Sequence, residues 1–260
     1  MRITKEKVYF HVPYRILLNS LDWVGQIGVN CEIYANGEAL DNHTADEVDR
    51  INDLFESRGI KKIIHGPFLD LNPGSMDSKI RELTYERFIA AFDLCEKLKT
   101  NHIVLHNGLD PIFYKNASRL FLDLSIPVWK EAVKAAQARN ITIAIENSID
   151  PNPEVVVGLL KELNSPFLEA CFDAGHYYAF GKMSPFDALK WYPDGSIGEL
   201  HLSDNKGDFD NHLPLGDGDI DFKRLLTEAW KKGREPIITS EPHCKEHIER
   251  NLKYLLALGL

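Results

Sequence analysis

Six short apolar segments each end in, or are closely followed by, a histidine or an acidic residue. The side chains in question are His65 after KII, His106 after HIVL, Glu146 after ITIAI, Asp173 after FLEACF, His201 within GELHL and Glu241 after PIITS. Imidazole nitrogens and carboxylate oxygens are the donors that zinc and similar divalent ions take. Three carboxylates brought together without Lys or Arg would repel one another unless cations lay between them. The set therefore predicts a divalent metal site.

Two further segments add three candidate ligands. His176 lies in DAGH, and Asp210 and His212 form a DxH pair in DNH. The stretch from Asp204 to Asp221 holds six Asp and a single basic residue, Lys206. An acidic loop of this kind is often only solvated, but the apolar, glycine-punctuated LPLGDG after DNH favours a metal role for Asp210 and His212.

The elements that must position these side chains alternate along the chain. Apolar runs predict strands at 8–12, 29–34, 61–65, 102–106, 141–146, 167–173, 198–202 and 236–240. Amphipathic patterns predict helices near 14–27, 44–58, 77–99, 117–139, 153–163, 185–191, 221–232 and 245–258. Alternating strands and helices predict a parallel sheet. Eight units in 260 residues predict an α/β fold with one (β/α)8 TIM barrel spanning 1–260, and an open doubly wound sheet is the alternative.

The barrel would bring the candidate ligands together, because active sites of such barrels lie at the carboxyl ends of the strands. Thr44 with Glu47 predicts a capping box for the second helix, and Gly59 its end. His11 lies on the first strand, where lining the mouth and packing in the core are equally open. His102 begins its strand and is expected at the opposite end. His243 lies close enough to Glu241 to support it.

The composition restricts the classes of partner that the chain is expected to bind. The chain carries 30 Lys and Arg against 39 Asp and Glu, a net charge of −9, which argues mildly against nucleic acid. No apolar run approaches the roughly 18 residues of a membrane span, so no membrane partner is expected. The four cysteines are far apart and form no CxxC pair. We expect them to be reduced, in a cytoplasmic protein without a secretory signal.

The motifs around the candidate ligands resemble those of the xylose isomerase-like TIM-barrel superfamily, which includes endonuclease IV and many sugar or sugar-phosphate isomerases and epimerases. The resemblance covers nearly the whole chain. It is carried by HGPFLDLNPGS from His65, LHNG at His106, IENS at Glu146, DAGH at Asp173, HLSDN at His201, DNH at Asp210, LGDGDIDF from Leu215 and SEP at Glu241.

The resemblance implies a ligand set. In endonuclease IV nine side chains hold three zinc ions, and each has a counterpart here. One ion would be held by His65, His106 and Glu146; a second by Glu146, Asp173, His201 and Glu241; and a third by His176, Asp210 and His212. The epimerase branch needs only the second group. Up to three zinc ions per chain are therefore implied, with manganese or magnesium as alternatives.

Two functions follow from the resemblance. The first, which we place ahead, is a metal-dependent phosphoesterase that hydrolyses a phosphodiester or sugar phosphate ester with a metal-bound hydroxide. The second is an isomerase or epimerase of a sugar or sugar phosphate, with Glu146 and Glu241 as the acid/base pair. A binding protein without catalysis is a weaker third reading, because binding alone rarely needs so many metal ligands.

The loops favour a small sugar or phosphate-containing substrate over DNA. The segment ANGEALDNHT after the second strand lacks the arginine-rich, aromatic character with which endonuclease IV penetrates DNA. Phe68 and Leu69 keep an aromatic–aliphatic pair where that enzyme wedges the duplex. We expect Phe68 to pack on the top of the barrel instead. The sequence predicts neither the exact substrate nor the oligomeric state.

Overall fold

Eight parallel strands close into a barrel in the computed structural model, which describes residues 2–260. The strands are β1 (Val8–Pro13), β2 (Asn30–Tyr34), β3 (Lys62–His65), β4 (His102–His106), β5 (Thr142–Glu146), β6 (Leu168–Asp173), β7 (Ile197–Leu202) and β8 (Ile237–Ser240). Each strand pairs with the next in sequence, and β8 pairs with β1. The predicted (β/α)8 TIM barrel is confirmed, and the open sheet is wrong.

Helices cover the outside of the barrel. They are α1 (Tyr14–Leu18), α2 (Leu21–Ile27), α3 (Gly37–Asn42), α4 (Ala45–Arg58), α5 (Ser78–Lys97), α6 (Ser118–Ala138), α7 (Glu154–Leu163), α8 (Ala174–Phe180), α9 (Pro185–Leu189), α10 (Phe222–Trp230) and α11 (Lys245–Ala257). The capping box of Thr44 and Glu47 is present, and Gly59 ends α4 in the left-handed conformation.

The single helix predicted over 14–27 is wrong. The chain leaves the helix at Asn19, and Ser20 adopts φ −126° and ψ 12° before α2 begins. The amide of Ser20 donates to the carbonyl of Leu17 at 2.9 Å, and the Ser20 carbonyl accepts from the amide of Val24 at 2.9 Å, so one helix ends and the next begins at this residue. The apolar periodicity of the sequence continues across Ser20 and therefore predicted one helix, although serine readily leaves a helix.

A further helix, α8, was not predicted, because it begins directly after β6. Asp173 ends the strand and caps the helix, since its Oδ1 accepts from the amide of His176 at 2.6 Å. Gly175 is required here because a Cβ would lie 2.2 Å from Ser203 Oγ. The motif DAGH thus encodes a turn from strand to helix as well as two candidate ligands. The short α3, capped by Asn36, was also missed.

Alternate strand residues point into the barrel and out toward the helices. The outward side chains form the main core, which packs against the helices. Inside the barrel, Val104, Ala144 and Cys171 form a small apolar layer. Polar side chains therefore occupy the interior both at the mouth and at the foot.

Candidate functional site

All nine predicted ligands lie at the carboxyl end of the barrel. Four of them end strands β3 to β6, one lies in β7, one follows β8, and three come from α8 and the loop after β7; in that order they are His65, His106, Glu146, Asp173, His201, Glu241, His176, Asp210 and His212. The loop after β7 folds back onto the barrel, because Asp204 and Leu213 form an antiparallel bridge. The structure therefore brings into one cluster residues that are up to 176 positions apart in sequence.

The carboxylate of Glu146 is the centre of this cluster. Its Oε2 lies 3.1 Å from His65 Nε2 and 3.0 Å from His106 Nε2. Its Oε1 lies 3.3 Å from His176 Nδ1 and 3.4 Å from His201 Nδ1. The side chain is fully buried. One carboxylate is thus placed between four imidazoles, where it can bridge two cations.

Three imidazoles share one orientation. In each ring Nδ1 lies within hydrogen-bond distance of a backbone carbonyl: His65 to Gly66 at 2.9 Å, His176 to Asn147 at 2.8 Å and His212 to Glu241 at 3.1 Å. A ring that donates its Nδ1 proton leaves the Nε2 lone pair free. In all three rings Nε2 faces a carboxylate of the cluster. This is the tautomer that a metal ligand needs.

His201 is oriented the other way. Its Nδ1 lies 3.2 Å from Glu241 Oε1, and its Nε2 lies 3.1 Å from Oε2 of Glu32 on β2. Burial raises the pKa of the Glu32 carboxyl to about 7. Sequence reasoning missed Glu32, although an acidic residue inside an otherwise apolar strand run was visible in VNCEIY. Glu32 supports His201 from below, so that Nδ1 is directed at the mouth.

Asp210 joins the loop after β7 to α8. Its Oδ2 lies 2.9 Å from His212 Nε2 and 3.4 Å from His176 Nε2. His212 has φ 46°, a left-handed conformation that non-glycine residues rarely adopt. The Glu241 carbonyl fixes its ring in that conformation. Asp210 thus links the rings of His176 and His212, whereas the sets whose ligand atoms all lie within 4.8 Å of one another include His65 with His106 and Glu146, and Glu146 with Asp173 and His176.

Ionisation in the cluster is strongly perturbed. Burial raises the pKa of Asp173 to about 8. Burial would also raise the pKa of Glu146, but the imidazoles of His106 and His201 outweigh it and hold that pKa well below its usual range. Burial lowers the pKa of His106. A compact cluster with opposed shifts of this kind is typical of functional sites.

Several buried atoms of the cluster find no hydrogen-bond partner among residues 2–260. They are Glu146 Oε1, Asp173 Oδ2, His201 Nδ1, Asp210 Oδ1 and Glu241 Oε2. Glu146 Oε1 lies near His176 Nδ1, but that nitrogen directs its proton to Asn147. Buried polar groups are nearly always satisfied in native proteins. These five atoms therefore do not satisfy one another, and their chemistry fits divalent cations.

A cavity of about 710 Å³ lies over the cluster. Phe68 stacks on the ring of His106 at 4.3 Å between centroids, as expected for packing on the barrel top, whereas Leu69 is exposed. His11 lies at the mouth, 5.3 Å from the His65 ring, and burial lowers its pKa to about 3. His243 stacks on His212 at 4.3 Å and supports it.

The family of the chain follows from a sequence comparison. The family model described as xylose isomerase-like TIM barrel matches residues 24–258. The chain belongs to this family, as its motifs indicated. The uncharacterized protein MJ1311 of Methanocaldococcus jannaschii is 31% identical over 74% of the chain and 66% of its own length. Probable endonuclease 4 of Sulfurihydrogenibium sp. is 24% identical over 75% of the chain and 76% of its length.

Solved structures agree with this assignment. A D-tagatose 3-epimerase-like protein is 25% identical over 96% of both chains, with a TM-score of 0.83. The TTHB071 protein of Thermus thermophilus, from crystals soaked with ZnCl2, is 24% identical over 97% of both chains, with a TM-score of 0.79. A protein named for its likeness to an epimerase thus shares this fold, and one named for endonuclease activity is similar in sequence. Within residues 2–260, no helix is both long and apolar enough to cross a membrane.

Proposed function

We propose that this protein is a divalent-metal-dependent phosphoesterase that hydrolyses a phosphodiester or a sugar phosphate ester. The observation that carries the proposal is the third donor group, in which Asp210 lies between His176 and His212 beside the carboxylate of Glu146. Three adjoining groups suit phosphoryl chemistry, which must stabilise an attacking oxygen, a leaving oxygen and the charge between them. An isomerase needs only one group.

The residues fit zinc, and manganese or magnesium are alternatives. The nitrogen and oxygen donors are those that zinc takes. Bound cations would also give partners to the buried atoms named above that have no hydrogen bond. Divalent ions held there would lower the pKa of water and polarise a phosphoryl oxygen. The raised pKa of Asp173, about 8, means that a cation must displace a proton from this carboxyl near neutral pH.

Glu146, Glu241 and two phenylalanines have different roles in the proposed reaction. Glu146 is the bridge between two groups, because each of its oxygens faces two imidazoles. Glu241 follows β8 with Oε2 unpartnered at the mouth, so it can accept a proton from an attacking water. Phe68 and Phe180 line the cavity over the donors and limit the access of bulk water.

Metal content and activity together test the proposal. Purified protein should hold roughly three divalent ions per chain, one for each donor group, by inductively coupled plasma mass spectrometry. It should hydrolyse at least one member of a panel made of bis(p-nitrophenyl) phosphate, an abasic-site duplex and hexose phosphates. Full metal loading without cleavage of any phosphoester would overturn the proposal.

A second candidate is a sugar or sugar-phosphate isomerase or epimerase. The specific observation in its favour is the likeness to the D-tagatose 3-epimerase-like protein over 96% of both chains. Glu146 and Glu241 both approach His201 Nδ1, at 3.4 and 3.2 Å, as an acid/base pair around one metal group would. Interconversion of ketoses or their phosphates with roughly one ion per chain would favour it.

A further inference from the structure

The cavity over the donor cluster extends sideways into an apolar arm. Phe10 of β1, Cys31 of β2, Val24 of α2 and Ile248 of α11 line this arm. All four are buried, and they face the space between the barrel wall and the two helices. Protein interiors leave few voids larger than a water molecule. This apolar space belongs to the same cavity as the donors, so it is available to the apolar part of a ligand that the donors hold.

The break between α1 and α2 lies beside the arm. Ser20, at the break, and Trp23, on the first turn of α2, both line the cavity. On the other side the wall is formed by Pro242 and the first residues of α11. A continuous helix over 14–27 would have carried these side chains along a different path. The break thus lies on the wall of the cavity, next to the mouth.

The rim of the cavity is also apolar. Ile16, Leu69 and Phe209 line it with relative exposures of 56%, 70% and 63%. Of the lining residues in the described chain, Lys245 is the one Lys or Arg. Exposed apolar side chains gathered around a pocket mark a ligand-binding surface. A DNA backbone would need several cations in their place.

We infer that the arm binds the apolar group of a small amphiphilic phosphate ester, an alkyl or aryl ester, whose phosphoryl end lies at the donor cluster. The inference rests on the proposed function. A polyol or a nucleobase in the arm would leave several hydroxyl or amide groups without partners, because the polar groups of its wall are the Ser20 hydroxyl, the Trp23 indole N–H, the Cys31 thiol and the Lys245 ammonium group, and the rest is apolar. Burying unpartnered polar groups is costly, whereas each buried methylene is favourable.

Alkylphosphonates are suitable probes, because they carry the phosphoryl end and cannot be hydrolysed. Binding of ethyl-, butyl- and octylphosphonate to the metal-loaded protein should be measured by isothermal titration calorimetry. Each methylene that enters the arm should tighten binding by about fourfold. Equal affinities across the series would overturn the inference. Trp23 fluorescence should change with the octyl compound, and Trp23→Phe should abolish that change.

Two variants of one arm residue provide the control. Val24→Phe should fill the arm, flatten the chain-length dependence and leave ethylphosphonate binding unchanged. Val24→Ala should keep the dependence. If Val24→Phe fails to fold, the wild-type series and Val24→Ala still decide, since neither needs the filled arm. A chain-length dependence that survives Val24→Phe in a folded protein would place the alkyl group elsewhere and overturn the inference.

The two proposals fail separately. Rising phosphonate affinity without hydrolysis of any alkyl or aryl phosphate would remove the phosphoesterase and leave the arm as a binding site. Hydrolysis of small polar phosphate esters without chain-length dependence in binding or KM would remove the arm and leave the phosphoesterase.

Discussion

The barrel interior holds histidines and carboxylates at both ends, and the two ends treat them differently. At the foot, His102 Nε2 lies 2.6 Å from Glu199 Oε2, and Thr239 Oγ1 donates to Glu199 Oε1 at 2.5 Å. Arg234 donates to Glu169 beside them. Each of these two carboxylates thus has a cationic or hydroxyl partner from the protein itself, and of their four oxygens Glu169 Oε1 is the one without a hydrogen bond in the described part of the chain.

The mouth has the same residue types, and its carboxylates meet imidazoles but no Lys, Arg or hydroxyl group among the described residues. Among the nine candidate ligands there is neither Lys nor Arg, and five of them carry a buried atom without a hydrogen-bond partner within residues 2–260. Residue type alone therefore does not distinguish a structural cluster from a candidate metal site. The two ends differ in how many buried atoms lack a hydrogen bond, which is five among the candidate ligands and one, Glu169 Oε1, at the foot.

The largest effect is expected at the bridge. Glu146→Gln should lower activity by about a thousandfold or more and remove metal with it, because a neutral amide bridges two cations poorly. Activity and metal content measured on the same preparation test this. Circular dichroism should show an intact fold, since the site lies on the loop face. A variant with full metal content would show that Glu146 is not a bridge.

His212→Ala should be the next largest change. Turnover should fall by about a hundredfold, with roughly one ion per chain lost, because the third group loses a donor while the other two keep theirs. Steady-state kinetics with metal analysis provides the measurement. An effect confined to KM would instead favour the isomerase, where His212 would only bind a hydroxyl or a phosphate.

Glu32→Gln should have a smaller effect that acts through His201. Metal affinity should weaken by about 10–100-fold, because the amide orients His201 Nε2 less firmly than a carboxylate. Competition with a chelator measures the affinity. Glu38→Gln, an exposed change on α3, is the matched control and should leave affinity unaltered. Equal affinities for both variants would show that Glu32 does not support the site.

A substitution at the foot, the end of the barrel opposite the mouth, should change the stability of the protein and not its metal content. His102→Leu should lower the free energy of unfolding by about 3 kcal/mol, because the buried Glu199 carboxylate loses the imidazole that lies 2.6 Å from it. Burial lowers the pKa of His102, but Glu199 outweighs this and the net pKa is raised. The stabilisation is therefore full below about pH 6.5 and declines as pH rises through the folded pKa. Urea unfolding of metal-free protein across that range should show the difference shrinking.

The mouth of the barrel could be predicted from the sequence, because its residues follow one positional rule. Each ligand that ends a strand, such as His65 or Asp173, lies where an apolar run stops, and parallel strands all stop at the same end of a barrel. The capping box at Thr44 was readable for a similar reason, since its bonds span three residues. Local patterns with fixed geometry were therefore sufficient for the barrel and for the placement of the ligands.

Features that depend on distant partners could not be read in this way. Glu32 meets His201 across 169 residues, and nothing near Glu32 in sequence indicates that contact. The break at Ser20 and the apolar arm depend on how α2 and α11 pack on β1 and β2. Helix α8 was missed because it begins directly after FLEACFD, a segment whose apolar pattern predicts a strand.

Asp173 connects two donor groups through one turn of helix. Its Oδ1 caps α8 by accepting from the amide of His176, while its Oδ2 remains free for the group around Glu146. An ion that fixes Asp173 therefore also fixes the first turn of α8, and with it the ring that faces Asp210. Such shared ordering is thermodynamic linkage, in which the first ligand lowers the entropic cost of the second. Calorimetric titration of zinc into metal-free protein should accordingly be steeper than independent sites allow.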